Sequence, residues 1–253
     1  MKITFLGTGT SQGVPLIACT CNVCVSADRY DKRLRTSVMI EVDAKIIVID
    51  SGPDFRQQML REKVMRLDAL LFTHAHKDHI AGMDDIRAFN YISNKVIDVY
   101  ADVIVEKAIH REFPYVFEEF KYPGVPEINL HIISDEIFLA ADIPILPIDV
   151  LHYKLPVKGF RIGDFTYITD ANYIDEKEKL KIKGSKILVL NALRKENHIS
   201  HFNLFEAIEL AKEIGAEQTY FTHISHQLGL HKEIDKILPA GINLAYDGLK
   251  VEL

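Results

Sequence analysis

The spacing of apolar residues predicts a chain in which short β-strands alternate with α-helices. Strands are indicated where apolar residues alternate with polar ones, or form short runs bounded by turn residues. Such runs cover residues 2–6, 35–42, 45–50, 69–73, 96–100, 143–150, 158–161, 165–168, 187–190, 218–222, 243–246 and 249–252. Helical spacing covers residues 54–63, 84–91, 103–113 and 204–214.

Capping and turn residues mark several ends of these elements. Asn203, with Glu206 three residues later, forms a capping-box pair, and Gly215 predicts where that helix ends. The dipeptide Asp247-Gly248 is a hairpin turn signal. We therefore expect the two C-terminal strands to form one hairpin.

The alternation of strands and helices occurs twice, and polar residues suited to metal binding follow strand ends in both halves. This pattern predicts two sheets packed face to face, with helices outside and a metal site along one edge. A length of 253 residues suits one large domain or two small ones, and we expect a single domain over residues 1–253.

The composition is that of a globular protein with a sizeable core, since 48% of residues are apolar and 26% are charged. The net charge of −6 argues against a broadly basic surface for nucleic acid. No apolar run approaches the roughly 20 residues that span a membrane, and the N-terminus resembles a strand, not a signal peptide. We therefore expect a cytoplasmic protein without a membrane partner.

Three histidines and one aspartate fall within the stretch His74-Ala75-His76-Lys77-Asp78-His79. They lie where a predicted buried strand ends and a loop begins. His74 and His76 can point the same way from extended backbone, and Asp78 and His79 follow on a turn. Because imidazole and carboxylate are the usual ligands of zinc, manganese and iron, the spacing predicts a metal centre, not isolated surface histidines.

The three cysteines are bunched at Cys19, Cys21 and Cys24. Short loops between them let the sulfurs converge on one metal ion. A tetrahedral zinc needs a fourth ligand, which the neighbouring sequence does not supply. The alternative is three free thiols in a reducing compartment, since an odd number of bunched cysteines does not indicate a disulfide framework.

Further side chains with metal-binding or acid–base chemistry stand at or beyond later strand ends. Those at strand ends are Asp50, His152, Asp170 and His223, and those in loops are His198, His201 and His226. The glycine-rich stretch 7–13 lacks the dinucleotide-binding spacing, and no long helix follows it. We expect its glycines to turn the chain or to bring the backbone close to the active site.

The motif His74-x-His76-x-Asp78-His79, followed in order by His152, Asp170 and His223, resembles that of the metallo-β-lactamase fold hydrolases. The resemblance covers essentially the whole chain and implies an α/β (α+β) fold, the four-layer αββα sandwich. Within that superfamily the chain is similar to the PhnP-type cyclic phosphodiesterases. The segments that carry this likeness are Cys19-x-Cys21-x-x-Cys24, His152-Tyr153-Lys154-Leu155, Ser200-His201-Phe202-Asn203-Leu204 and Thr222-His223-Ile224-Ser225-His226-Gln227.

The resemblance implies two catalytic metal ions and one structural zinc. The first catalytic ion would be held by His74, His76 and His152. The second would be held by Asp78, His79 and His223, with Asp170 bridging the two. The structural zinc would be held by Cys19, Cys21, Cys24 and His226, within a small N-terminal loop (19–24). Manganese, zinc and iron all accept the catalytic ligands.

The resemblance also implies roles for residues around the metals. His201 matches the proposed general acid, which protonates the leaving alkoxide. We take His201 and Asp78 as the catalytic residues. Asp50 matches a strand-end acid that orients a ligand histidine, and His198 is expected to be a neighbouring loop residue.

The implied function is metal-dependent hydrolysis of a small cyclic phosphodiester, with a hydroxide shared by the two ions as nucleophile. Alternatives on the same fold are RNA processing of the tRNase Z type and thioester or acyl hydrolysis. A non-catalytic metal-binding protein is an alternative of another class, but the complete ligand sets argue against it. The expected partner is a small phosphodiester substrate, nucleic acid is disfavoured, and a homodimer fits the family.

Residues 85–145 match the family least, and we expect substrate selection to be decided there. Within this region, segment 115–125 mixes Phe117, Phe120 and Tyr122 with charged residues. It is either a lid over the active site or a loop with its aromatic side chains tucked into the core. The sequence slightly favours the second interpretation.

Overall fold

The strands form two sheets, in a computed structural model that describes residues 1–253. The seven-stranded sheet contains β1 (Lys2–Gly7), β2 (Ser37–Val42), β3 (Lys45–Ile49), β4 (Ala69–Leu71), β5 (Ile97–Ala101), β6 (Ile128–Ile132) and β15 (Lys250–Glu252), in the order β15-β1-β2-β3-β4-β5-β6. The eight-stranded sheet contains β7 (Phe138–Ala140), β8 (Ile143–His152), β9 (Leu155–Ile162), β10 (Phe165–Tyr167), β11 (Tyr173–Ile174), β12 (Ile187–Asn191), β13 (Gln218–Thr222) and β14 (Ile242–Leu244). Its order is β11-β8-β9-β10-β12-β13-β14, with β7 paired to β8.

The α-helices are α1 (Asn22–Val25), α2 (Phe55–Glu62), α3 (Lys77–Ile80), α4 (Arg87–Ser93), α5 (Val103–Glu112), α6 (Glu176–Ile182), α7 (Leu204–Ile214) and α8 (His231–Asp235). Short 3₁₀ helices cover Arg29–Asp31, Met83–Ile86 and Pro114–Val116. The helix predicted over 84–91 is therefore divided into a 3₁₀ turn and α4. None of the helices is long and apolar enough to cross a membrane.

Three apolar layers hold the elements together. Between the sheets, side chains such as Phe5 on β1 and Phe160 on β9 belong to one buried cluster. On the outer face of the first sheet, Val48 and Leu70 pack against α2, α4 and α5. On the outer face of the second, Leu188 packs against α6, α7 and α8. This is the αββα sandwich that the sequence predicts, because each sheet buries both faces while each helix buries one.

Local signals define α7 as predicted. The Asn203 side chain accepts a hydrogen bond from the Glu206 N–H, and the Glu206 carboxylate accepts one from the Asn203 N–H. Gly215 ends the helix in the left-handed conformation, with φ of 72°. A capping box satisfies two N–H groups that the first turn of a helix leaves unpaired.

The predicted C-terminal hairpin is wrong. β14 pairs in parallel with β13 in the second sheet, whereas β15 pairs antiparallel with β1 in the first. The Asp247-Gly248 turn therefore carries the chain from one sheet to the other. The Asp247 carboxylate fixes this crossing, since it accepts hydrogen bonds from the Thr8 hydroxyl at 2.8 Å and the Leu34 N–H at 2.7 Å.

Segment 115–125 also differs from the favoured interpretation. The side chains of Phe120 and Tyr122 are 88% and 82% exposed. Of the three aromatic residues, Phe117 packs against the protein, since its ring stacks on His110 at a centroid distance of 3.7 Å. The sequence could not distinguish these cases, because the apolar residues of the segment follow neither a helical nor a strand period.

Candidate metal centre

Strand ends of both sheets deliver the predicted ligands to one region. β3 and β4 are parallel neighbours, as are β10, β12 and β13. The carboxyl ends of parallel strands share one edge of a sheet, so side chains that follow them converge. Asp50 follows β3, the motif 74–79 follows β4, Asp170 follows β10, His223 follows β13, and His152 ends β8.

The structure brings Asp78, His79, Asp170 and His223 together, with one ligand atom from each within 4.8 Å of the others. His79 Nε2 lies 3.2 Å from both Asp78 Oδ2 and Asp170 Oδ2. His223 Nε2 lies 3.0 Å from Asp170 Oδ1 and 3.7 Å from Asp78 Oδ2. Two carboxylates and two imidazoles thus surround one point, and they are the residues that the resemblance assigns to the second ion and its bridging ligand.

The remaining predicted ligands lie beside this group. His74 Nε2 is 3.0 Å from His76 Nδ1, and the His76 and His152 rings have centroids 5.2 Å apart. His152, Asp170 and His201 form a further group within 4.8 Å. His74 is buried, whereas His76 is exposed and His152 is half-buried. The site is therefore open to solvent on the His76 and His152 side.

Hydrogen bonds on Nδ1 make Nε2 the nitrogen that three histidines can offer to a metal ion. His79 Nδ1 donates to Asp50 Oδ2 at 2.7 Å. The Thr73 hydroxyl donates to the same carboxylate at 2.8 Å, so it accepts from His74 Nδ1 at 3.0 Å. His152 Nδ1 donates to the Ser200 carbonyl at 2.8 Å. A neutral imidazole that donates from Nδ1 carries its lone pair on Nε2, the form that binds metal ions.

Buried histidine nitrogens without well-directed hydrogen bonds indicate that the pocket suits cations. His79 Nε2 and both ring nitrogens of His223 are buried, and none of them makes a well-directed hydrogen bond, although carboxylate oxygens lie close to both Nε2 atoms. Buried polar atoms are nearly always paired, so each exception needs an explanation. Divalent cations fit, because they would satisfy the Nε2 lone pairs of both rings and neutralise Asp78 and Asp170 at once.

Three residues at the site adopt left-handed backbone conformations. The φ angles are 65° at Asp50, 54° at Asp170 and 54° at His223. A non-glycine residue in this region costs about 1–3 kcal/mol and persists only where surrounding structure imposes it. Each of these residues follows a strand, so the turn redirects its side chain from the sheet toward the shared edge. No glycine at these positions signals the conformation in the sequence.

Two glycines allow the Asp50 turn to pack on the helix that carries Asp78. A Cβ on Gly52 would lie 2.1 Å from the Asp78 carbonyl oxygen, and one on Gly82 would lie 2.1 Å from the Gly52 carbonyl oxygen. The Ser51 N–H donates to the His79 carbonyl at 2.8 Å, which locks the two segments together. Gly7 and Gly9 of the glycine-rich stretch likewise pass close to the segment 33–35.

The buried charges shift one another's protonation. Burial would raise the pKa of Asp78 and Asp170, but neighbouring His79 and His223 hold both pKa values below the ordinary range. Burial would lower the pKa of His223, but Asp170 and Asp78 raise it to about 9. Burial would likewise lower the pKa of His79, but Asp78 and Asp50 raise it. Without metal, protonated imidazoles thus compensate the carboxylates.

His201 lies against the group at Asp170. Its Nε2 is 3.0 Å from Asp170 Oδ1, and its ring stacks on His223 with centroids 4.8 Å apart. Burial lowers the pKa of His201 to about 4, although the bond to Asp170 acts in the opposite direction. The ring therefore stands beside the carboxylate that was predicted to bridge the two ions.

A second cluster joins the N-terminal loop to the turn after β13. Ligand atoms of Cys19, Cys21, Cys24 and His226 lie within 4.8 Å of one another. His226 Nδ1 is 3.3 Å from Cys21 Sγ and 3.5 Å from Cys19 Sγ. The bond to His226 lowers the pKa of Cys21 to about 6, whereas burial raises that of Cys24 to about 11. Three sulfurs and one imidazole form the donor set of a tetrahedral zinc site.

Sequence reasoning missed two residues that organise the site. Thr73 joins Asp50 to His74 through its hydroxyl, and Ser200 holds His152 through its carbonyl. Thr73 directly precedes the histidine motif and Ser200 directly precedes His201. That adjacency was the available signal, but a hydroxyl beside a ligand does not by itself indicate which atoms it contacts.

Comparison with known proteins identifies the family of this chain. A sequence profile of the Beta-lactamase superfamily domain matches residues 45–224. A crystal structure described as a new diphosphatase from the PhnP family aligns with a TM-score of 0.93 and 39% identity, covering 100% of this chain and 97% of that chain. The chain therefore belongs to the beta-lactamase superfamily of metal-dependent hydrolases. Within it, this protein is a member of the PhnP family, as its motifs predicted.

Other relatives have different names. The octanoyltransferase of Porphyromonas gingivalis is 41% identical over 253 residues, which cover 99% of this chain and 51% of the relative. A ribonuclease Z of Nostoc sp. is 29% identical over 168 residues, covering 65% of this chain and 47% of the relative. The chain thus spans about half the length of the curated relatives it matches.

Proposed function

We propose that this protein is a metal-dependent phosphodiesterase that hydrolyses a small, cyclic phosphodiester. The observation that carries this proposal is the convergence of Asp78, Asp170 and five histidines at one solvent-accessible edge, where hydrogen bonds on Nδ1 make Nε2 the available ligand atom of His74, His79 and His152. This donor set matches a pair of divalent ions better than a single ion, because too many ligands converge for one coordination sphere.

The proposed ligand assignment is the one that the resemblance implies. His74, His76 and His152 would hold one ion on the open side of the site. Asp78, His79 and His223 would hold the other on the buried side, and Asp170 lies between the two groups. Divalent ions at such a site lower the pKa of bound water and withdraw charge from a phosphate.

The protein's own residues would orient these ligands and supply a proton. Asp50 and Ser200 fix the His79 and His152 rings through their Nδ1 atoms. His201 would donate a proton from Nε2 to the departing alkoxide, since this atom faces the ligand group. A group that protonates the leaving oxygen matters most when that oxygen is a poor leaving group.

Phosphate chemistry is favoured over the alternatives that the relatives suggest. The diphosphatase of the PhnP family supports a phosphate substrate and points to phosphoanhydrides as a second substrate class. The net charge of −6 disfavours a long RNA. The alignment covers 51% of the octanoyltransferase. The name of that protein therefore does not show that the aligned half carries out acyl transfer.

The proposal is tested with the protein loaded with manganese or zinc, and again after treatment with chelator. Bis(4-nitrophenyl) phosphate and a 2′,3′-cyclic nucleotide should both be hydrolysed, and chelator should abolish both activities. A phosphoanhydride, a precursor tRNA and an acyl thioester serve as comparison substrates. Preferred turnover of the thioester, or no turnover of any phosphate by metal-loaded protein, would overturn the proposal.

A further inference from the structure

His198 lies beside His201 in a closed loop between β12 and α7. The Leu193 N–H donates to the Phe202 carbonyl at 3.1 Å, and the Leu204 N–H donates to the Arg194 carbonyl at 2.8 Å, so the loop ends are tied together. A loop whose ends are close and whose interior is hydrogen-bonded holds its side chains in fixed positions. The loop therefore fixes the backbone position of His198.

The contacts of His198 all lead to His201. His198 Nδ1 is 3.1 Å from His201 Nδ1, and the Ser200 hydroxyl lies 3.3 Å from the first atom and 3.1 Å from the second. The Ser200 backbone N–H also points at His198 Nδ1, at 3.4 Å. A backbone N–H can only donate, so His198 Nδ1 is an acceptor. The hydrogen between the two imidazoles then belongs to His201 Nδ1.

This assignment fixes the direction in which His201 can transfer a proton. With one hydrogen held on Nδ1 by His198, any proton that His201 transfers at the site must pass through Nε2, which faces Asp170 at 3.0 Å. A side chain that holds one nitrogen of a catalytic imidazole sets its tautomer and its ring orientation. Burial, and then the nearby Arg194 guanidinium, lower the pKa of His198, which is consistent with a neutral acceptor.

The loop also holds His198 from its outer side. Arg194 donates to the Asn197 carbonyl from Nη2 and to the Gln227 side-chain oxygen from Nη1, both at 2.9 Å. The Asn203 amide donates to Asn197 Oδ1 at 2.7 Å. These bonds fix the residue directly before His198, so the backbone from which the His198 ring projects is held in place.

We propose that His198 is a positioning residue, which holds His201 with Nε2 directed at the leaving group of the substrate. The inference rests on the proposed phosphodiesterase function and deepens it, because it assigns the site to diesters whose leaving group is an alkoxide. A nitrophenolate leaves without protonation, so its departure does not need a correctly oriented His201. Loss of His198 should therefore affect the two kinds of substrate unequally.

The test compares kcat and KM of His198→Ala and His198→Asn on a 2′,3′-cyclic nucleotide and on bis(4-nitrophenyl) phosphate. The Asn side chain keeps an acceptor near the position of Nδ1. Alanine should lower kcat on the cyclic nucleotide by about tenfold or more and on the nitrophenyl ester by less than about threefold, with little change in KM. Asparagine should restore most of the lost rate. Glu209→Ala, at an exposed residue of α7 that contacts Lys212, is the control and should change neither rate.

The outcomes separate this inference from the function on which it rests. No turnover of either ester by the unmodified protein would overturn the phosphodiesterase proposal, and this inference with it. Turnover by the unmodified protein with equal losses on both substrates in His198→Ala would overturn the positioning role alone. So would unchanged rates on both substrates, or failure of asparagine to do better than alanine.

Discussion

At the scale of single residues, the site depends on which nitrogen of each histidine is occupied. Asp50 is buried, and it accepts hydrogen bonds from His79 Nδ1, the Thr73 hydroxyl and the Thr73 N–H. This carboxylate would touch neither metal nor substrate. Its contribution is to hold His79 with Nε2 inward, and through Thr73 to do the same for His74.

Replacing Asp50 should therefore weaken metal binding without removing a ligand. Asp50→Asn keeps the size but weakens the acceptor for His79 Nδ1, and loss of such a partner typically lowers metal affinity by about 10–100-fold. Competition with a metal-binding dye measures the change. Asp98→Asn, at an exposed Asp–His pair with a 2.9 Å contact, is the matched control. Equal affinities for Asp50→Asn and the unmodified protein would show that the contact does not organise the site.

At the scale of secondary-structure elements, the structure shows which features the sequence could predict. Helix α7 was predictable because its signals, the Asn203–Glu206 pair and Gly215, are local. The pairing of β14 and β15 was not, because a turn such as Asp247-Gly248 does not determine which strands of a sandwich lie beside it. Strand partners are chosen by packing across the whole molecule.

The candidate site likewise combines features that could be predicted with features that could not. Spacing placed His74 and Asp78 beside one another because both follow one strand. The left-handed turns at Asp50, Asp170 and His223 were not predictable, because tertiary contacts impose them on residues without a glycine's freedom. The resemblance to a known family thus indicates which side chains share the site, but the sequence does not reveal the backbone turns that aim them.

The packing of the Asp50 turn on α3 gives an element-scale prediction. In Gly52→Ala the new Cβ would meet the Asp78 carbonyl oxygen, which is backbone and cannot rotate away. The helix must shift, so Asp78 and His79 should lose their alignment. We expect fewer catalytic ions per chain by elemental analysis, together with a lower Tm. A normal metal content in a folded Gly52→Ala protein would show that the segment tolerates displacement.

The cysteine cluster gives a second prediction at the scale of secondary-structure elements. It joins the loop 19–24 to the turn that also carries His223, so a zinc ion there would brace the ligand turn. Cys24→Ser should lower the metal content from about three ions to about two and decrease Tm, because structural zinc contributes to folding free energy. Asp170→Asn should show the complementary loss, with zinc retained at the cysteines. Loss of all metal in both variants would mean that the two sites do not bind independently.

At the scale of the whole molecule, the sandwich brings carboxylates and imidazoles from two sheets into one buried edge. Asp78 and His79 come from the first sheet, and Asp170 and His223 come from the second. Any charge left uncompensated there acts on the interface between the sheets. Metal ions and protons are therefore alternative ways of stabilising the same fold.

This exchange predicts how the stability of the metal-free protein depends on pH. The pKa of His223 is raised to about 9 and that of His79 is also raised, by the buried carboxylates. An unfolded histidine has a pKa of about 6.5. The stabilisation from these protonated rings is thus fully present below about pH 6.5 and is lost as pH rises toward the folded values, because the native state then binds more protons than the unfolded one.

We therefore expect Tm of chelator-treated protein to fall between about pH 6.5 and about pH 9, as measured by calorimetry. With zinc or manganese bound, the same histidines are neutral ligands in the folded state, so Tm should change less over this window. His223→Gln, measured metal-free, removes one raised pKa and should have a shallower slope than the unmodified chain. Equal slopes for the metal-free and metal-loaded proteins would mean that the buried carboxylates are not compensated by protons on His79 and His223. In that case a group outside the ligand cluster would have to carry the compensating charge.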